Sequence, residues 1–165
     1  MPKTSSSSPR SVVHATFCIE RTYQASPAQV FKALTDPAAK AKWFTGGNGY
    51  TLLAREIDVR PGGREHVKGR WETGVVSTFD AVYHDVVADE RIVYAYEMHL
   101  DDRKISVSLA TLELKPAGTD THLVMTEQGA FLNTTTEVMQ HSDIIASFLS
   151  PGERRCASCR SRMLR

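Results

Sequence analysis

Cysteine is scarce in this sequence, and long apolar runs are missing from it. Three cysteines in 165 residues, Cys18, Cys156 and Cys159, are too few and too unevenly placed to staple a disulfide framework, which agrees with a reducing compartment. No apolar stretch approaches the roughly 18–20 residues that a membrane-spanning helix needs. The N-terminus MPKTSSSSPRSVV also lacks the apolar core of a secretory signal. A cytoplasmic location without membrane insertion is therefore expected. An excess of one charge is absent as well: 20 Lys and Arg against 19 Asp and Glu leave a net +1, too small a field to capture nucleic acid. What is there, 41% hydrophobic and 24% charged residues, is an ordinary globular composition over a length that suits one domain.

The Ser-rich residues 1–12 hold too little apolar surface to repay the entropy of ordering, and read as a mobile tail. From His14 to Tyr23 apolar and polar residues alternate: Ala15, Phe17, Ile19 and Tyr23 share a face on which Arg21 is the misfit. That is a half-buried strand. Ser26-Pro27 then reads as an N-cap with proline at the first helical position, and Val30, Phe31 and Leu34 form an apolar stripe behind it. Asp36-Pro37 repeats the start signal, and a second short helical turn runs to Trp43-Phe44 before TGGNG stops it.

From Tyr50 to Phe131 six β segments follow, at Tyr50–Val59, Arg64–Trp71, Val75–Val87, Arg91–Leu100, Lys104–Lys115 and Thr121–Phe131. The links RPGGR, ETG, ADE, LDDR and PAGTD are short and rich in Gly, Pro or Asp, so neighbouring strands must be antiparallel. Ile105, Val107 and Leu109 fall on one face and Leu112 and Leu114 on the other, which predicts a bulge near Ala110-Thr111. A last helical stripe, Thr136 to Leu149, ends at Ser150-Pro151-Gly152. The fold class is α+β: residues 13–150 form one antiparallel sheet curled on a C-terminal helix. The two short helices plug one end, and residues 151–165, with five arginines and one glutamate, form a basic tail.

The segments FCIERTYQASPAQVFKALTDPAAKAKWF, PGGREHVKGRW, FDAVYHDVVADERIVYAYEM and LVMTEQGAF, in that order, resemble the activator of Hsp90 ATPase homologue (Aha1-like) family of the START-like, or SRPBCC, superfamily. The resemblance spans roughly His14 to Leu132. It implies the helix-grip fold, a seven-stranded sheet around a long C-terminal helix with a hydrophobic cavity between them. It also implies two kinds of partner, a small hydrophobic molecule or, in the manner of the eukaryotic co-chaperone, a chaperone or other protein in a stress-response setting.

On that fold Phe31, Trp43, Phe44, Trp71, Phe79, Tyr83, Tyr94, Tyr96, Met98, Phe131 and Phe148 should surround the concave face, either as ligand-cavity lining or as plain core. Glu127 joins them because Leu123, Met125 and Phe131 share its face; it is also the foremost acid–base candidate, and pairing with a buried Arg21 or Arg55 is an equal reading for it. Arg64, His66, Lys68 and Arg70 alternate along one strand, either as an anion site or as a solvated outer face. His84, His99, Glu97 and Glu113 are further acid–base groups with nothing in the sequence to pair them. No Ser-His-Asp order is apparent, and PGG at 61–63 reads as a hairpin turn rather than a phosphate loop. Cys156-Ala-Ser-Cys159 has metal-ligand spacing but lacks a second ligand pair, so no metal and no cofactor are expected. The expectation is a monomeric or homodimeric non-enzymatic module that binds a small hydrophobic or amphipathic ligand. The alternatives are a chaperone-accessory interaction module and, behind it, an enzyme of the cyclase or hydrolase type.

Overall fold

The computed structural model of the chain describes residues 11–44 and 49–132. The expected final helix at 136–149, Phe148 and the Cys156/Cys159 pair lie outside these residues. Strand β1 (Val13–Tyr23) is followed by helices α1 (Pro27–Thr35) and α2 (Pro37–Lys40). Six strands then run in succession: β2 (Tyr50–Ile57), β3 (Arg64–Trp71), β4 (Val76–Val87), β5 (Arg91–Leu100), β6 (Arg103–Ala117) and β7 (Asp120–Phe131).

All seven strands form a single antiparallel sheet in the order β1-β7-β6-β5-β4-β3-β2. Five successive hairpins build it from β2 to β7, and β1 closes the far edge by pairing with β7 from Val13↔Phe131 to Tyr23↔Thr121. The chain must therefore cross the whole sheet between β1 and β2. The two helices lie in that crossing, which is why they end up on one face of the sheet.

Local chemistry starts each helix as expected. Ser26 and Gln29 form a reciprocal cap: the Gln29 N–H donates to Ser26 Oγ (3.4 Å) and the Ser26 N–H donates to Gln29 Oε1 (3.0 Å). Asp36 ends α1 and begins α2, its Oδ1 accepting from the Ala39 N–H at 2.8 Å. Val30 and Leu34 of α1 are buried and join a core that includes Ile19, Leu112, Leu114, Leu123 and Met125.

Strand phase decides which side chains face this core. On β3, Glu65, Val67 and Gly69 are buried while Arg64, Lys68 and Arg70 are exposed. A Cβ on Gly69 would lie 2.0 Å from the Tyr50 ring, so the absence of a side chain there lets Tyr50 fold across β3 and meet Trp71 (ring centroids 5.0 Å apart).

One expectation needs correction. No bulge interrupts β6 near Ala110-Thr111: β6 pairs with β7 residue for residue from Ser106↔Phe131 to Ala117↔Asp120. Its inward face is Ser106, Ser108, Ala110, Leu112 and Leu114, all buried, and Val107 and Leu109 point outward. The apparent change of phase arises because the inward positions near Phe131 are small. A Cβ on Gly129 would already lie 2.7 Å from the Phe131 ring and 2.9 Å from Ser108 Oγ, so that ring takes the room that larger residues would need. The register shifts occur instead at Leu52/Ala54, Tyr83/Asp85 and, between β5 and β6, Met98/His99.

Candidate functional site

The concave face carries a continuous run of rings. Trp43 meets Phe44 at 5.8 Å between centroids, Phe44 meets Phe79 at 5.6 Å, and Phe79 meets Tyr96 at 4.9 Å. Tyr96 then meets Tyr94 at 5.8 Å, and Tyr94 meets Tyr83 at 5.6 Å. The first two rings come from the segment after α2, the rest from β4 and β5. Edge-on and tilted contacts of this kind stabilise beyond simple burial. Trp43 also donates its indole N–H to the Ala33 carbonyl (2.9 Å), which ties the end of α2 back onto α1.

At the Tyr83 end of the run sits a polar trio that the sequence did not reveal. Lys40, the last residue of α2, places Nζ 2.6 Å from Glu65 Oε2 and 3.3 Å from the Tyr83 hydroxyl. The Tyr83 hydroxyl donates to the same Glu65 oxygen at 2.5 Å. Glu65 is 2% exposed and Lys40 9%, so the ion pair is inside the protein. The ammonium also lies 5.2 Å from the centre of the Phe44 ring, within reach of a cation–π attraction. Arg55 on β2 stands over the other part of this corner, its guanidinium 5.8 Å from the Phe44 ring and donating to the Phe44 carbonyl. Two buried polar atoms in this corner, Glu65 Oε1 and Arg55 Nε, have no hydrogen-bond partner among the described residues.

Burial sets the electrostatics. It lowers the Lys40 pKa from the usual lysine value, and the adjacent Glu65 only partly offsets that effect. It raises the Tyr83, Tyr94 and Tyr96 hydroxyls above the usual phenol value; Glu65 adds to the effect at Tyr83, and Glu127 at Tyr94 and Tyr96. All three phenols are therefore hydrogen-bond donors at any physiological pH.

A second carboxylate, Glu127 on β7, is fully buried and accepts a hydrogen bond from Tyr96 at 2.5 Å. Phe44, Phe79, Tyr83, Tyr94 and Tyr96 thus come together, with Glu127 against Tyr96 in the middle of the run and Glu65 against Tyr83 at its end. Phe31, Trp43 and Met98 are partly buried against the same core. Phe131 is buried over Gly129. Trp71 belongs elsewhere, packing on Tyr50 and donating to Ser77 Oγ at 3.2 Å.

The convex face carries exposed charged groups, some of them in separate ion pairs. The basic row Arg64, His66, Lys68 and Arg70 lies there, and His66 Nδ1 is 2.6 Å from Asp80 Oδ1. Asp80 stands opposite Glu97, which ion-pairs with Lys104. Asp80, Glu97 and His99 bring ligand atoms within 4.8 Å of one another, but Asp80 already contacts the His66 ring and Glu97 already holds Lys104. His99 and Glu97 are 4.0 Å apart here, Glu113 lies near Lys115 at 3.8 Å, and His84 is exposed. The acid–base groups noted in the sequence are thus split between the two faces, with Glu127 alone on the concave one.

Glu65 was legible in one respect, since it keeps phase with Val67 and Trp71 on a strand whose other face is basic. Lys40 gives no such signal; it reads as an ordinary solvated lysine closing an Ala-rich turn.

Residues 24–147 match the family described as Activator of Hsp90 ATPase homolog 1-like protein. Among solved structures, the chain is 37% identical to an uncharacterised protein from Rhizobium leguminosarum, covering 86% of this chain and 93% of that one with a TM-score of 0.81. It is 38% identical to the Mll3558 protein from Rhizobium loti, covering 84% and 94% with a TM-score of 0.78. Protein CV1439 from Chromobacterium violaceum is similar at 25% identity, 81% and 93% coverage and a TM-score of 0.65. No protein of curated function matches the sequence.

Proposed function

Because this chain belongs to the Activator of Hsp90 ATPase homolog 1-like family of START-like proteins, we propose that its concave face binds a small amphipathic molecule. The observation that supports this reading is the run of aromatic rings that ends on a buried ion pair with an unpartnered oxygen. Rings alone would serve a core equally well. A buried ion pair contributes little to stability, and apolar replacements of the same volume are often neutral or stabilising. Its presence at the end of an aromatic run suits recognition better than stability: the rings take the apolar body at about 25 cal/mol per Å², and a few convergent polar groups orient the rest.

Native mass spectrometry of the purified protein, followed by extraction, tests the reading. A co-purifying molecule, or a rise in melting temperature with small aromatic compounds, is the expected result. A bare protein whose melting temperature no such compound raises overturns it. The chaperone-accessory reading draws on a different observation, the outward-facing Val107 and Leu109 on the convex face, 43% and 41% exposed. A gain in stability from a partner protein and not from small molecules would favour it.

A further inference from the structure

We propose that Glu65 Oε1 and Arg55 Nε form the polar anchor of this site, and that the ligand is an uncharged molecule presenting a hydrogen-bond donor beside an acceptor, as a carboxamide does. The inference rests on the reading above, that the concave face is a binding site, and adds the chemistry of what enters it.

The first support is an imbalance in the hydrogen bonding of one carboxylate. Both neighbours of Glu65, the Lys40 ammonium and the Tyr83 hydroxyl, donate to Oε2. Oε1 is buried and receives nothing. A buried acceptor without a donor is destabilising, and more so when it is charged. Native proteins keep such atoms where something else satisfies them.

The second support is Arg55. Its guanidinium is held by the Phe44 carbonyl and ring, and its Nε is the other buried polar atom of this corner that lacks a partner. Glu65 pairs with Ile57 across the β2–β3 ladder and Arg55 pairs with Val67, so the two side chains sit one diagonal step apart on the concave face. Diagonal neighbours of this kind lie about 7–8 Å apart at the backbone, within reach of long side chains. One donor from the ligand would satisfy Glu65 and one acceptor would satisfy Arg55.

The pattern also argues against an acidic ligand. A free carboxylate would bring an anion to the unpartnered oxygen of Glu65, whereas an amide brings an N–H to it and a carbonyl to Arg55. Lys40 is already committed to Glu65 and Tyr83.

Two probes of nearly equal shape test the anchor, 2-naphthamide and methyl 2-naphthoate. They share the ring system and the carbonyl, and only the amide offers an N–H. Their affinities for the full-length protein and for Glu65→Gln are to be measured by isothermal titration calorimetry, with the melting temperature of the variant as a folding control. In the unaltered protein the amide is expected to bind at least about tenfold more tightly, since the ester leaves Oε1 unpaired. In Glu65→Gln the new amide oxygen stays with Lys40 and Tyr83, and its NH₂ takes the place of Oε1. The preference is then expected to vanish or reverse, which a merely structural Glu65 would not produce. Equal binding of the two probes by the unaltered protein overturns the anchor and leaves the concave-face reading standing. Failure of both probes to bind overturns both. The comparison in the unaltered protein decides the matter even where the variant does not fold.

Discussion

At the scale of single residues, the Lys40–Glu65 pair gives the sharpest expectations. Replacing Lys40 with Ala leaves a carboxylate buried without its cation, which costs on the order of 3–5 kcal/mol when such a pair is broken. Lys40→Met together with Glu65→Leu removes both charges and is expected to recover most of that loss in urea denaturation. A single Lys40→Ala change that shifts the midpoint by less than about 1 kcal/mol would mean the pair is solvated after all. The tyrosines set the behaviour at high pH. The folded protein holds the protons of Tyr83, Tyr94 and Tyr96 above the usual phenol value of 10.0, while the unfolded chain releases them there. The stability they contribute is complete below pH 10 and is lost as pH rises beyond it, by up to about 1.4 kcal/mol per pH unit for each phenol. Lys40 acts in the opposite sense: its lowered value makes the unfolded state bind the extra proton just below 10.5, so one group offsets part of three. Urea midpoints between pH 8 and pH 11 should fall steeply above 10. Midpoints that stay flat would place these phenols in water. Little of this was legible beforehand, because a residue's partner across 25 positions of sequence leaves no local trace.

Elements were more legible than residues, for a physical reason. Caps, turns and strand phase are encoded within a few positions of one another. Ser26-Pro27, Asp36-Pro37 and the short links between Tyr50 and Phe131 therefore marked α1, α2 and the antiparallel hairpins where the structure has them. Strand phase failed on β6, where the inward side is small because the Phe131 ring lies against it, and size is a property of the opposing strand. Ser26→Ala should cost about 1 kcal/mol through the lost cap. Trp43→Ala should cost about 3 kcal/mol, because it removes a packed ring and the tie from its N–H to Ala33. Thermal or urea unfolding checks both, and an unchanged Trp43→Ala midpoint would mean that α2 is not anchored through this ring.

At the scale of the molecule, the sheet order puts the first strand against the last. Contacts of such sequence separation must close a long loop before they contribute, and sheets built this way fold slowly, in about milliseconds to seconds. Stopped-flow refolding followed by Trp43 and Trp71 fluorescence should fall in that range, and a microsecond phase carrying the whole amplitude would contradict it. The crossing from β1 to β2 also explains why one corner of the concave face gathers Lys40, Phe44 and Arg55. The chain arrives there from the opposite edge and begins the hairpins.

The pairing of β1 with β7 has a further consequence on the ribosome. A nascent chain exposes Val13–Tyr23 first, with Phe17 and Ile19 on one face, and its partner at Asp120–Phe131 does not yet exist. At roughly 5–20 residues per second, synthesis of the intervening chain takes on the order of ten seconds. During that interval an apolar strand waits without a sheet, and whatever shields it then is part of how this protein reaches its folded state.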